Sequence, residues 1–276
     1  MKKNRHPYQL VPFPKARLPI VDSLHYAKRM PAVHMLLDFD VTDARRFLRE
    51  HRERTGESLS FTAFLTHCLA RAVDESKAVH AYRRGGKLVI YDEVDVAVIV
   101  ERELADARAP VFPHIVRAAN RKALQEIHRE IRGAQREESA VPQRERRMRQ
   151  YALLPAVVRG LFWRVLLGSP YWRKRVTGTV GISSAGMFGS GAGWGIPLPT
   201  YTLSITVGGI AEKPGVVKGQ VEIREYLSLT ASFNHDIVDG ADAARFMAGL
   251  KELVEGSHGL RPAPESAGSS GENAQS

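Results

Sequence analysis

The sharpest chemical feature of the sequence is Asn234-His235-Asp236-Ile237-Val238-Asp239-Gly240. It follows an alternating run and precedes an amphipathic one, so a turn here sets His235 at the end of a sheet strand. An imidazole titrates near neutral pH, and in a cleft it can take a proton from a thiol or hydroxyl and return it later. Asp239, four residues on, stands where a carboxylate can accept the otherwise orphaned N–H groups of a helix start. By itself the pattern also serves as ordinary turn chemistry.

The second feature is the run Gly178-Thr-Val-Gly-Ile-Ser183-Ser184-Ala185-Gly186-Met-Phe-Gly189, followed by Gly-Ser-Gly-Ala-Gly-Trp-Gly-Ile-Pro. As a phosphate loop it lacks Gly-Lys-Ser/Thr, and as a nucleophile elbow it has Ala185 for the last glycine and no helix behind it. A third reading makes Ser183 a hydrogen-bond donor to a developing oxyanion, with the glycines letting backbone approach a substrate. A plain glycine-rich loop between strands is the fourth. His25, His34, His51, His67, His80, His114 and His128 are scattered without metal-ligand spacing, so no bound metal is expected. Cys68 falls on an apolar helix face and reads as core.

The elements that must position these groups alternate. Asp22 is expected to cap a short helix to about Met30, and His34 to Val41 reads as a strand. Thr42 or Asp43 opens a helix ending before Gly56, and Ser60 is expected to cap the next, with Phe61, Phe64, Leu65, Cys68, Leu69, Ala72 and Val73 as its apolar face. Lys87–Tyr91 and Val94–Val100 read as sheet after a Gly85-Gly86 turn, and Leu124, Ile127, His128 and Ile131 mark a further helix. Thr179–Ser184, Tyr201–Ile210 and Glu225–Phe233 are strand candidates, the last alternating Leu227, Leu229, Ala231 and Phe233 against Ser228, Thr230 and Ser232. A final helix follows Gly240. This order predicts one α/β domain over residues 1–260, a single mixed sheet flanked by helices, with a disordered tail at 261–276.

Charge narrows the partners. The 276 residues carry a net +10, with 40 Lys and Arg against 30 Asp and Glu, and the excess lies between Arg117 and Arg175. Inside that segment the cluster Arg144, Arg146, Arg147 and Arg149 and the triplet Arg173, Lys174 and Arg175 bracket an apolar stretch, Tyr151 to Trp172. The pattern suits a phosphorylated cofactor, an anionic lipid surface or a solvated basic face; nucleic acid ranks lowest, because no matching motif accompanies it. The single cysteine excludes a disulfide framework. The basic N-terminus has no apolar signal region and the apolar stretch is broken by Arg159 and Arg164, so a cytoplasmic protein without a membrane span is expected.

Taken together, the sequence resembles the catalytic domain of the dihydrolipoamide acyltransferases of 2-oxoacid dehydrogenase complexes, which share the chloramphenicol acetyltransferase fold. The carriers run from about Val11 to Gly256: SLHYAKRMPAVHMLLDFDVTDARRFL, SLSFTAFLTHCLARAVDE, YDEVDVAVIVER, IVRAANRKALQEIHREI, GTVGISSAGMFG and TLSITVGGIAEKPGVVKGQVEIREYLSLTASFNHDIVDGADAARFMAGLKELVEG. The resemblance implies an acyltransferase using coenzyme A, as acyl-CoA, with His235 as general base, Ser183 as oxyanion donor and Asp239 as a buried partner holding the histidine loop. It further implies a trimer or higher multiple whose site lies between subunits, His from one and Ser from its neighbour. No lipoyl attachment site is recognised, so the acceptor is expected to be a separate lipoylated protein or a small molecule.

The chain departs from that pattern. Asn234-His235-Asp236 stands where Asp-His-Arg is usual, and Ser23-Leu24 where relatives carry Arg-Lys, so any salt bridge Asp239 makes to that arginine in relatives is lost or replaced. The Ser139–Arg175 segment is longer and more apolar than its counterpart, and a helical pair there could line or cover the acyl channel. The rival expectation is a non-catalytic trimeric scaffold or membrane-surface protein using that insert; a serine hydrolase with Ser183 as nucleophile is a third.

Overall fold

The long alternating runs of the C-terminal half fold as one hairpin that forms the spine of the molecule. The computed structural model describes residues 8, 10–99, 113–136, 146, 150–184 and 191–260. The expected tail, Arg144, Arg147, Arg149, Gly186 and Gly189 lie outside the described residues. In chain order the elements are α1 (Leu18–Ala27), β1 (Ala32–Asp40), α2 (Thr42–Thr55), α3 (Phe61–Glu75), β2 (Tyr82–Arg84), β3 (Lys87–Val89), β4 (Val96–Ile99), β5 (Pro113–Val116) and α4 (Leu124–Arg136). They continue with α5 (Ala156–Gly168), α6 (Pro170–Thr177), β6 (Val180–Ser184), β7 (Leu203–Val217), β8 (Gln220–Asn234) and α7 (Gly240–Glu255). The main sheet has the order β1-β8-β7-β6-β4-β5, mixed in direction, with β6 parallel to both β4 and β7. This is the expected α/β architecture, a mixed sheet flanked by helices.

Each face of the sheet follows from period-two alternation. Leu203, Ile205 and Val207 of β7 pair with Phe233, Ala231 and Leu229 of β8 and turn toward the helices, where Phe233 meets Phe246 of α7 edge to face at 5.9 Å. Phe39, Phe64, Leu69, Ile127 and Met247 complete this core and are fully buried, each stabilising the fold by about 2 kcal/mol. Burial also pushes the Cys68 thiol up from its ordinary value, in keeping with a core role. The opposite face carries Ser204, Thr206, Ser228, Thr230 and Ser232, and these hydroxyl residues are buried as well. Ser228 donates to Asp38 at 3.0 Å, and Ser232 lies 2.8 Å from His34 Nδ1.

Several boundaries differ from expectation. The first helix starts at Leu18, and Asp22 lies inside it, where its carboxylate accepts from Arg159 at 2.9 Å and Tyr151 at 2.5 Å. Ser60 precedes α3, but its hydroxyl makes no cap; its N–H instead donates to His128 Nδ1 at 3.0 Å. Lys87–Val89 does not join the main sheet: it pairs with β2 in a separate hairpin turned at Gly85-Gly86. The β7 and β8 strands run 15 residues each, further than their alternation suggested, and meet at Lys218-Gly219. Both turn residues have positive φ, 49° and 83°, as a two-residue type I′ hairpin requires.

A buried polar knot fastens the amino ends of β4 and β6. Thr179 Oγ1 accepts the Asp95 N–H at 3.0 Å and lies 3.1 Å from His80 Nδ1, while His80 Nε2 lies 3.1 Å from the Tyr91 carbonyl. A carbonyl only accepts, so Nε2 carries the proton and Nδ1 accepts from the threonine hydroxyl. Burial pushes the His80 pKa down from 6.5 to about 4. The unfolded chain then binds the extra proton first, so stability is complete above pH 6.5 and is lost as pH falls toward about 4. The loss at that lower pH is expected to reach about 3 kcal/mol. Urea midpoints of the wild type and His80→Gln, compared from neutral pH down, check this: identical pH slopes would remove histidine protonation as the cause.

Candidate active site

His235 follows the last residue of β8, and three local bonds define its turn. Its N–H donates to the Pro31 carbonyl at 2.8 Å, Asn234 Oδ1 accepts from the Asp236 N–H at 3.1 Å, and the Val238 N–H returns to the Asn234 carbonyl at 3.0 Å. Val238 is buried in the core and pins the loop from below. The imidazole is thereby left exposed at the end of the sheet on a fixed backbone. Asp239 caps α7 in extended conformation, with its carbonyl accepting from Ala243 at 2.9 Å. Its side chain makes no cap bond, however, and is exposed rather than buried. Within one chain, then, the Asp239 carboxylate is not enclosed. Ser23 and Leu24 lie within α1 and offer no cation, and among the described residues the carboxylate has the field of the helix start.

Ser183 sits half-buried on β6 near its carboxyl end, level with Thr206 of β7. The two hydroxyl oxygens are 3.5 Å apart, the outer limit of a hydrogen bond, so the Ser183 proton is not committed to a strong partner. The loop that follows is seated by two glycines of β7. A Cβ at Gly208 would stand 2.0 Å from the Gly193 carbonyl oxygen and one at Gly209 1.8 Å from that of Gly191, so only glycine lets the loop lie here. The glycines of the loop thus approach the sheet itself. Trp194 reaches from this loop to the Leu37 carbonyl at 3.3 Å, and Lys213 lies 5.5 Å from its ring centre. Thr206, Trp194 and Lys213 were missed by the sequence reading; the clue to Thr206 was a hydroxyl in a run otherwise rich in β-branched apolar residues.

Strand register fixes how far apart the two principal residues are. Ser183 is level with Thr206, Thr206 with Thr230, and His235 comes five residues after Thr230. At about 3.3 Å per residue and 4.8 Å per strand, they are roughly 15–20 Å apart. One chain therefore does not bring His235 and Ser183 together: the histidine lies beyond the last residue of β8, whereas the serine is level with residues inside β7 and β8.

The His235 end also receives α5 and α6, the helical pair expected in the basic, apolar segment. The Tyr26 hydroxyl donates to the Gly160 carbonyl at 2.9 Å, Tyr91 to Pro170 at 3.1 Å and Tyr201 to Thr177 at 2.8 Å, and Tyr82 donates to Leu167. The Arg173 guanidinium lies 4.2 Å from the centre of the Tyr82 ring. From the sheet side, Arg117 joins buried Asp95 at 2.8 Å to the Lys174 carbonyl at 2.9 Å. The pair is thus bound into the domain by bonds to its main chain.

The family model for the 2-oxoacid dehydrogenases acyltransferase catalytic domain matches residues 5–144 and 174–260. The chain belongs to this family. Its 22% identity with the lipoamide acyltransferase component of the branched-chain α-keto acid dehydrogenase complex of Bacillus subtilis covers 89% of this chain and 52% of that protein. The chain spans about half the length of that relative. Among solved structures, the cubic core of the pyruvate dehydrogenase multienzyme complex superposes with a TM-score of 0.68 at 20% identity, over 92% of this chain and 93% of the other. Dihydrolipoamide acetyltransferase of Azotobacter vinelandii gives the same TM-score, identity and coverage; that structure concerns the role of a serine, a histidine and an asparagine in its catalytic mechanism. The family match omits residues 145–173, which include all of α5, so the acyltransferase domain carries an insertion at that point.

Proposed function

We propose that this acyltransferase domain moves an acyl group between the thioester of coenzyme A and a second thiol, that of lipoamide on a separate protein or of a small-molecule acceptor. The observation that carries the reading is the joint retention of Ser183 and His235 in a member of this family. Support comes from the Azotobacter enzyme, whose serine, histidine and asparagine have the same mutual separations as Ser183, His235 and Asp239. The distance between the two residues within one chain supports a site completed by a neighbouring subunit, and the assembled core among the structural relatives agrees with a trimer or a multiple of it.

Residue chemistry supplies the steps. A thiol with a pKa near 8.5 is mostly protonated at neutral pH, so His235 removes its proton as the sulfur attacks the thioester carbonyl. The new carbon–sulfur bond leaves a tetrahedral oxyanion, to which the neighbouring subunit's Ser183 hydroxyl donates a hydrogen bond. Collapse breaks the original carbon–sulfur bond, and the departing thiolate recovers the proton from the imidazolium. Asp239 joins the turn that carries His235 to α7 through its main-chain carbonyl, which accepts from Ala243.

The direct test is formation of free coenzyme A, separated chromatographically from its thioester, with a panel of short and long acyl-CoA donors, with and without dihydrolipoamide. Acceptor-dependent release is expected. No release from fully assembled protein with any donor would reject the reaction, and acceptor-independent release with fluorophosphonate labelling of Ser183 would make the protein a serine hydrolase.

A further inference from the structure

We propose that the outer face of α5 and α6 is a docking surface for an anionic lipid bilayer, on which the insertion lies flat. The insertion is an addition to the family domain, since the matched stretches stop at residue 144 and resume at 174. Its inner side is occupied: Arg159 pairs with Asp22 at 2.9 Å, Trp163 donates to the Tyr151 hydroxyl at 2.8 Å, and Leu166 is buried. Its outer side is apolar and uncovered by the described residues. Val157, Leu161 and Val165 recur every fourth residue, one above the other along the helix, and are 83%, 60% and 60% exposed. On α6, which begins two residues after α5 ends, Trp172 adds a half-exposed indole.

Charge selects the occupant. No Asp or Glu occurs between Arg146 and Ala211. Among the described residues the exposed Arg164 of α5 has no carboxylate partner, and the exposed Arg175 of α6 stacks over Trp172 at 5.6 Å and bonds the Tyr171 hydroxyl at 2.9 Å. A second copy docked face to face by a two-fold axis would set these guanidinium groups against each other with no acid to pair them. A bilayer bearing anionic headgroups accepts both features at once, taking the aliphatic stripe and indole into its interface and the arginines onto its phosphates. Crossing is excluded by length: the 13 residues of α5 reach about 20 Å, short of the roughly 30 Å of a hydrocarbon core, and no helix of the described residues is long and apolar enough to span a membrane. The four tyrosine hydroxyls that hold the pair make it a rigid platform, so little ordering entropy opposes docking.

The inference is independent of the acyl-transfer reading, and the experiment keeps the two apart. The whole protein is sedimented with vesicles of phosphatidylcholine alone and of about three parts phosphatidylcholine to one part phosphatidylglycerol. Binding to the anionic vesicles is expected. It should fall about tenfold or more in Val157→Glu/Leu161→Glu and by a similar factor in Arg164→Ala/Arg175→Ala, since each arginine near the surface contributes roughly fivefold. Formation of free coenzyme A in vesicle-free buffer should be unchanged in both variants, because neither touches the reacting groups. Absence of binding by the wild type, or binding that survives both double substitutions, overturns the proposal. Loss of assembly size in Val157→Glu/Leu161→Glu, read by light scattering, would instead make the face a contact between copies.

Discussion

Replacing His235 with alanine is expected to lower the rate of acyl transfer at neutral pH by about a thousandfold, within the range general-base catalysis supplies. The effect should fall on kcat, because an exposed side chain on a turn fixed by Pro31, Asn234 and Val238 contributes little to the fold. A second readout separates a base from a structural part. Without His235 the reaction depends on thiolate formed by solvent, which is a few per cent of the thiol at pH 7 and rises about tenfold per pH unit below the thiol pKa. The variant should therefore recover activity steeply between neutral pH and about pH 8.5, while the wild type gains less. A variant as slow at high pH as at low pH, or as fast as the wild type at pH 7, would assign the base elsewhere.

Ser183→Ala should cost a further, separable factor of about 10²–10³ in kcat with acyl-CoA binding nearly unchanged, the usual consequence of removing one oxyanion donor. The residue lies on β6, far along the sheet from His235, and that distance permits a test that needs no new substitution. Ser183→Ala chains and His235→Ala chains, each nearly inactive alone, are dissociated, mixed in equal amounts and reassembled. If each site takes histidine from one subunit and serine from the next, random mixing regenerates about one intact site in four. Recovery to that level is the expected result. No recovery after subunit exchange has been verified by mass would mean that the two residues do not serve one shared site.

How much of this was legible beforehand depended on whether the signal was local. The helices α2, α3, α4 and α7 were visible because their apolar residues recur with helical period, and His235 and Ser183 because unusual local composition surrounds both. The β7–β8 hairpin was only half visible, since Lys218-Gly219 lacks the usual Asn-Gly and adds charge where the flanking valines continue the strand. Asp22 resembled a helix cap because its partners, Tyr151 and Arg159, are more than a hundred residues away. The hydroxyls of Ser228, Thr230 and Ser232 alternated as a solvent-facing edge would, yet they are buried, with Ser228 and Ser232 partnered by Asp38 and His34 of another strand. How far apart along the sheet the two site residues lie is a property of strand order and register, which have no local signature.

The tyrosine bonds that hold the helical pair have a further consequence for inheritance. Tyr26, Tyr91 and Tyr201 grip carbonyl oxygens, which every residue type provides, and so their hold is indifferent to the side chains displayed outward. Substitutions can accumulate at Val157, Leu161, Arg164 and Val165 without loosening the element or disturbing the sheet that carries His235 and Ser183. Natural selection can therefore retune what this surface attaches to, one residue at a time, while the chemistry behind it passes unchanged from one lineage to the next.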